Sequence, residues 1–132
     1  MEQHQKNAFA IAKWLQKQLR VQYVLYPGLE NHPGYVINKA QTTGFGGMIS
    51  FAVDNAETAR QILEGIKLIK FAESLGGTES LITYPIRQTH TDLTAEECAE
   101  NGITDCLLRF STGIEATQDL IDDFAQAFAA IE

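Results

Sequence analysis

Cysteine is scarce in this sequence: Cys98 and Cys106 are the only two, and they lack CxxC spacing. That usage fits two free thiols in a reducing compartment better than a disulfide framework. Basic residues are also few, ten against seventeen acids, for a net charge of −7. Non-specific nucleic-acid binding needs a basic face, which this balance does not supply. No apolar run approaches the roughly 18 residues that span a bilayer. The opening stretch "MEQHQKNAFA" is polar and has no signal-type apolar core, so a cytoplasmic protein away from membranes is expected.

Several motifs of chemistry are missing too. His4, His32 and His90 lie far apart, without HExxH or similar companions to bring ligands to a metal. Gly44, Gly46 and Gly47 lead into a strand, with no Lys-Ser/Thr pair, so they predict a turn or bulge rather than a phosphate loop. Gly76-Gly77 fails the same test. No nucleophile-elbow sequence supports a Ser-His-Asp triad. What is present is an ordinary globular composition: 132 residues, 45% hydrophobic and 20% charged, enough for one domain with a real core.

Ala8, Ile11, Ala12, Leu15 and Leu19 recur at helical spacing and predict an amphipathic helix from about Glu2 to Leu19, with charged and amide residues on its other face. The chain thus starts almost at once inside a helix, as a domain cut from a longer protein would. Val21, Tyr23, Val24 and Tyr26 favour a strand that Pro27-Gly28 ends. The polar stretch from Glu30 to Thr43 reads as a long loop. In "GFGGMISFAV", Ile49, Phe51 and Val53 share one face of a strand. Asp54 or Asn55 caps a helix that buries Ala59, Ile62, Leu63 and Ile66.

"KLIKFAES" reads as a strand broken by Gly76-Gly77, and "SLITYPI" as another that stops near Pro85. Thr94 and Glu97 form a capping box for a short helix that Asn101-Gly102 terminates. "DCLLRFS" is the last strand. Thr117 then caps a helix with Asp119 in its first turn and a buried stripe of Leu120, Ile121, Phe124, Phe128 and Ile131. Glu96-Glu97 and Asp122-Asp123 read as solvated helix faces. The expected fold is α+β, a mainly antiparallel sheet covered by helices, as a single domain over 1–132.

One residue does not fit this bland pattern. Arg109 stands among Leu107, Leu108 and Phe110. It is either a half-exposed strand residue whose side chain reaches water or a carboxylate-binding group, since a guanidinium grips a carboxylate through two parallel hydrogen bonds.

"YPGL", "NHPGY", "GFGGMISF", "AESLGGTESL", "YPIRQTH" and "GITDCLLRFSTGIEATQDLIDDFAQAF" occur in this order along nearly the whole chain. Together they resemble the C-terminal domain of the Cys/Met-metabolism enzymes that use pyridoxal phosphate. These are the transsulfuration enzymes such as cystathionine γ-synthase, γ-lyase and β-lyase, and the domain is the small one of fold-type I enzymes.

The resemblance implies that Arg109 binds the α-carboxylate of a sulfur amino-acid substrate. Ser74, opening "SLGG", would help hold that carboxylate, with backbone groups of its neighbour Leu75 contributing. Thr89 would line the substrate pocket. Glu73 resembles the γ-synthase and γ-lyase branch. It would either contact the distal amino group of cystathionine or stand as an exposed strand-end acid.

The same resemblance implies a homo-oligomeric parent whose cofactor sits in a large domain missing here, on a Schiff-base lysine in a serine/threonine-rich motif. None of Lys6, Lys13, Lys17, Lys39, Lys67 or Lys70 has that context. No cofactor and no catalytic residue are therefore expected on this chain, which would be inactive alone. The competing expectation is a free-standing α+β module that binds amino acids or mediates oligomerisation.

Overall fold

A computed structural model describes residues 1–131. The elements are α1 (Glu2–Leu15), β1 (Val21–Leu25), α2 (Tyr35–Gln41), β2 (Met48–Val53) and α3 (Ala56–Gly65). They continue with β3 (Lys70–Phe71), β4 (Leu81–Thr83), α4 (Ala95–Glu100), β5 (Leu107–Ser111) and α5 (Thr117–Ala129). The five strands form one sheet in the order β1-β2-β5-β4-β3. Three of the four pairings are antiparallel, and β3 with β4 is parallel, so the sheet is mixed.

Strand alternation divides the sheet into two unlike faces. Register places Val24 opposite Phe51, Phe51 opposite Leu108, and Phe110 opposite both Ile49 and Ile82. These six side chains share the core face with Val53 and are buried. Helices α1, α3 and α5 cover them with Ala8, Ile11, Leu15, Ala59, Ile62, Leu120 and Phe124. Phe124 is the hub: Phe110 meets it edge-on at 5.1 Å between centroids and Phe51 at 6.1 Å, while Trp14 stacks at 6.3 Å. Such aromatic pairs add to the area they bury.

The opposite face carries Tyr23, Leu25, Ser50, Leu81, Thr83, Arg109 and Ser111, and at its Tyr23 and Leu25 end both side chains are about two-fifths exposed. The parallel β3–β4 pair explains what covers the other end. A parallel neighbour needs a return connection. With helices on the core face, residues 72–80 return over the open face, where Thr83 donates to Ala72 O at 2.7 Å.

Local chemistry holds the helix ends. Asn55 Oδ1 accepts from Thr58 N at 2.9 Å, and Thr94 with Glu97 makes the full capping box. Glu97 is held below the usual carboxylate range, chiefly by the Thr94 backbone bond. Gly102 (φ +71°) ends α4 in the left-handed region.

Several expectations need correction. Helix α1 stops at Leu15, and Leu19 lies fully exposed beyond it. The stretch from Glu30 to Thr43 is not all loop, because α2 forms within it without burying a single side chain. Most of "KLIKFAES" leaves the sheet, and only Lys70–Phe71 pairs. Thr117 is not the cap of α5; Ala116 holds that position, and the Thr117 hydroxyl donates to Asn7 Oδ1 at 2.5 Å. Asn7 itself is fully buried rather than on a polar helix face.

Asp123 is likewise not solvated. It is 6% exposed, and its carboxylate accepts from the amides of Lys67, Leu68 and Ile69 at 2.8–2.9 Å. One side chain thus ties α5 to the entry of β3.

Two stability predictions follow from these contacts. Asp123→Ala strands three amides and should cost about 2–4 kcal/mol in urea unfolding, with Asp123→Asn intermediate; an unshifted midpoint would refute the anchoring role. Tyr26 is fully buried, donates to Gly46 O at 2.9 Å, and is pushed up to about 12 by burial. An unfolded tyrosine ionises near 10, so its contribution is intact below about pH 10 and is lost as pH rises through about 12. Over that window the protein should lose roughly 2–3 kcal/mol more than Tyr26→Phe does. Parallel pH curves for the two proteins would exclude this.

Candidate functional site

Arg109 sits mid-strand on β5, facing away from the core, opposite Ser50 on one side and Thr83 on the other. It is half-buried, and its Nη2 donates to Glu73 O at 2.9 Å and to Thr83 Oγ1 at 3.3 Å. Because Thr83 donates its own proton to Ala72 O, its oxygen is left to accept from the guanidinium. Among the described residues no carboxylate pairs with Arg109, whereas Arg20 pairs with Asp54, and Arg60 with Glu57 and Glu64. Nη1 and Nε have no acceptor among the described residues either. A half-buried cation without an anion, in a chain with seventeen acids, has capacity left for an external one.

Beside the guanidinium runs the 73–77 loop. Its Gly76 amide donates to Ser111 Oγ at 2.8 Å, and Gly76 takes φ +76°, which suits glycine alone without strain. Between these anchors Ser74 and Leu75 are exposed and make no hydrogen bond among the described residues. Further along, Ile114 N donates to Thr78 O at 2.9 Å, and Ser80 donates to both oxygens of Glu115 from its amide and hydroxyl. Gly113 passes so close that a Cβ there would lie 2.4 Å from Thr78 O. Asn7 fastens this turn to α1 by donating to Gly113 O and Glu115 O.

The structure therefore brings Arg109 and the Glu73 backbone into contact, with Ser74 and Leu75 next in the chain. Glu73 has an exposed side chain. Thr89 stands apart on the excursion between β4 and α4, where it is exposed and its hydroxyl meets His90 Nδ1 at 2.7 Å. No bond links it to Arg109 or to the 73–77 loop. The sequence reading omits Thr83, Ser111 and Glu115. Ser111 was accessible from alternation, two residues past Arg109, but Thr83 and Glu115 depend on pairing register and on a turn.

A Schiff-base lysine must be desolvated or paired with a cation to be nucleophilic near neutral pH. Lys6, Lys13, Lys17, Lys39, Lys67 and Lys70 all have exposed side chains. The residues of this chain do not by themselves fit a pyridoxal phosphate site.

Fold and sequence together define the class, a domain of pyridoxal-phosphate-dependent enzymes. A family model described as Cys/Met metabolism PLP-dependent enzyme matches residues 1–129, and the chain belongs to that family. It is 52% identical over 128 residues to a cystathionine gamma-lyase of Dictyostelium discoideum, covering 96% of this chain and 33% of that protein. It is 48% identical over 132 residues to a cystathionine gamma-synthase of Haemophilus influenzae, covering 31% of it. Among solved structures, the cystathionine gamma synthase from Xanthomonas oryzae pv. oryzae in complex with cystathionine superposes with a TM-score of 0.91 at 43% identity. That match covers 99% of this chain and 35% of the solved one. The chain spans about one third of the length of the relatives it matches. No helix among the described residues is long and apolar enough to cross a membrane.

Proposed function

We propose that this chain is the substrate-binding, C-terminal domain of a pyridoxal-phosphate-dependent enzyme of sulfur amino-acid metabolism. The enzyme would cleave or exchange a C–S bond in a cystathionine-like substrate. The observation that carries this reading is Arg109, a half-buried guanidinium with no acidic partner, aimed by Thr83 and the Glu73 carbonyl. In this role it accepts the α-carboxylate, and the unpartnered amides of Ser74 and Leu75 supply further donors. Thr89 lines the pocket from its separate loop, and the exposed Glu73 carboxylate faces the distal amino group.

Pyridoxal phosphate, the electron sink of such chemistry, belongs on this reading to the remainder of the enzyme. This chain's share is to hold the substrate in one orientation, which lowers the entropic part of the barrier. The uncovered Tyr23 and Leu25, with Val36 (76% exposed) and Ile37 (62%) on α2, offer an apolar surface of the kind a second domain or subunit covers. That supports a homo-oligomeric, two-domain parent.

In an enzyme joining this chain to a cofactor domain, Arg109→Lys should raise KM for the amino acid roughly tenfold or more. The absorbance of the bound cofactor should not change; an unaltered KM would sink the carboxylate role. Incubated with pyridoxal phosphate and then dialysed, this chain by itself should retain no stoichiometric cofactor. Retention of one equivalent through dialysis would overturn the division of labour.

A further inference from the structure

We propose that Ser111 is a positioning residue for the carboxylate site, holding the amides of Ser74 and Leu75 beside the Arg109 guanidinium. The inference rests on the reading of Arg109 as the carboxylate-binding group. Ser111 lies two residues past Arg109 on β5 and therefore on the same face. It is only 2% exposed, yet its hydroxyl oxygen is spent on a single exposed residue, accepting from Gly76 N at 2.8 Å.

The placement of the two anchors makes this more than a packing contact. Arg109 holds the loop at Glu73 O, and Ser111 holds it at Gly76 N. The two residues framed between them, Ser74 and Leu75, have amides without a hydrogen-bond partner among the described residues. Both anchors rise from one strand, so the guanidinium and the framed amides are set against a common ruler. At Gly76 the chain turns through φ +76°, and its amide reaches Ser111 Oγ on the sheet.

Attachment of the loop to the core does not need Ser111. Thr78 and Ser80 are already fixed by the Ile114 amide and the Glu115 carboxylate. What Ser111 adds, between the Arg109 bond to Glu73 O and the His4 ring at Gly77 O, is the hold on the C-terminal side of Ser74 and Leu75. Loss of its hydroxyl should leave the fold and Arg109 in place while the framed amides drift. Binding to substrate and transition state would then weaken alike, which raises KM without lowering kcat.

The test uses the enzyme in which this chain is joined to its cofactor domain, with the amino acid as probe. Ser111→Ala should raise KM about five- to tenfold, the size of one lost hydrogen bond, with kcat within about twofold of wild type. Cofactor absorbance should be unchanged. Ser111→Thr, which keeps the hydroxyl, should restore KM. Hydrogen exchange on the same proteins should show the Gly76 amide less protected in Ser111→Ala and the Ile114 amide unaffected. A wild-type KM for Ser111→Ala, alongside a raised KM for Arg109→Lys, overturns the positioning role alone. Wild-type KM in both variants overturns the carboxylate reading beneath it.

Discussion

The two-residue period of β5 is the constraint on which core and site both depend. Leu108 and Phe110 point into the helical layer, where Phe110 meets Phe124. Arg109 and Ser111 point the other way. A one-residue slip would put the guanidinium among Ile49, Phe51 and Phe124 and strand two large apolar side chains on the open face. Because β5 is paired on both sides, with β2 and β4, that slip is blocked twice. A permanent cation can therefore stand inside "CLLRFS" at no cost to the core, and the strand that builds the core also carries Arg109 on its other face.

The second constraint is topological. Once β3 runs parallel to β4, residues 72–80 must travel back between them, and the helices leave only one face free. "AESLGG" is thus laid across Arg109 and Ser111 by the wiring of the sheet and not by any preference of its own. Glycine serves the same geometry at Gly113, where the turn after β5 runs against Thr78 O.

Much of this was legible in the residues. Alternation in "MISFAV" and "LLRFS", a cap at Asp54 or Asn55 and the Thr94–Glu97 box are short-range signals; the structure keeps them and takes Asn55 as the cap. Misreadings arose where distant partners decide. Thr117 looks like a cap, but buried Asn7, over a hundred positions away, takes its hydroxyl. Asp123 sits beside Asp122 as though solvated, until the amides of 67–69 converge on it. Leu19 continues the α1 stripe in sequence after the helix itself has ended. Helix α2 buries nothing, so no apolar periodicity announces it. At the candidate site, motif resemblance pointed to Arg109 and Ser74, whereas Thr83 becomes visible only once the β4–β5 register is known.

The 73–80 segment makes almost no bonds to itself; its hold comes from Arg109, Ser111, the Ile114 amide, Glu115 and the His4 ring at Gly77 O. Such a segment has no private stability. Local opening of β5 and the turn beyond it would remove the Arg109, Ser111, Ile114 and Glu115 anchors together. The loop beside Arg109 is therefore coupled to a strand whose Leu108 and Phe110 are fully buried. A lesion at Phe110 or Leu108 would thus reach the 73–80 segment without touching any residue in it.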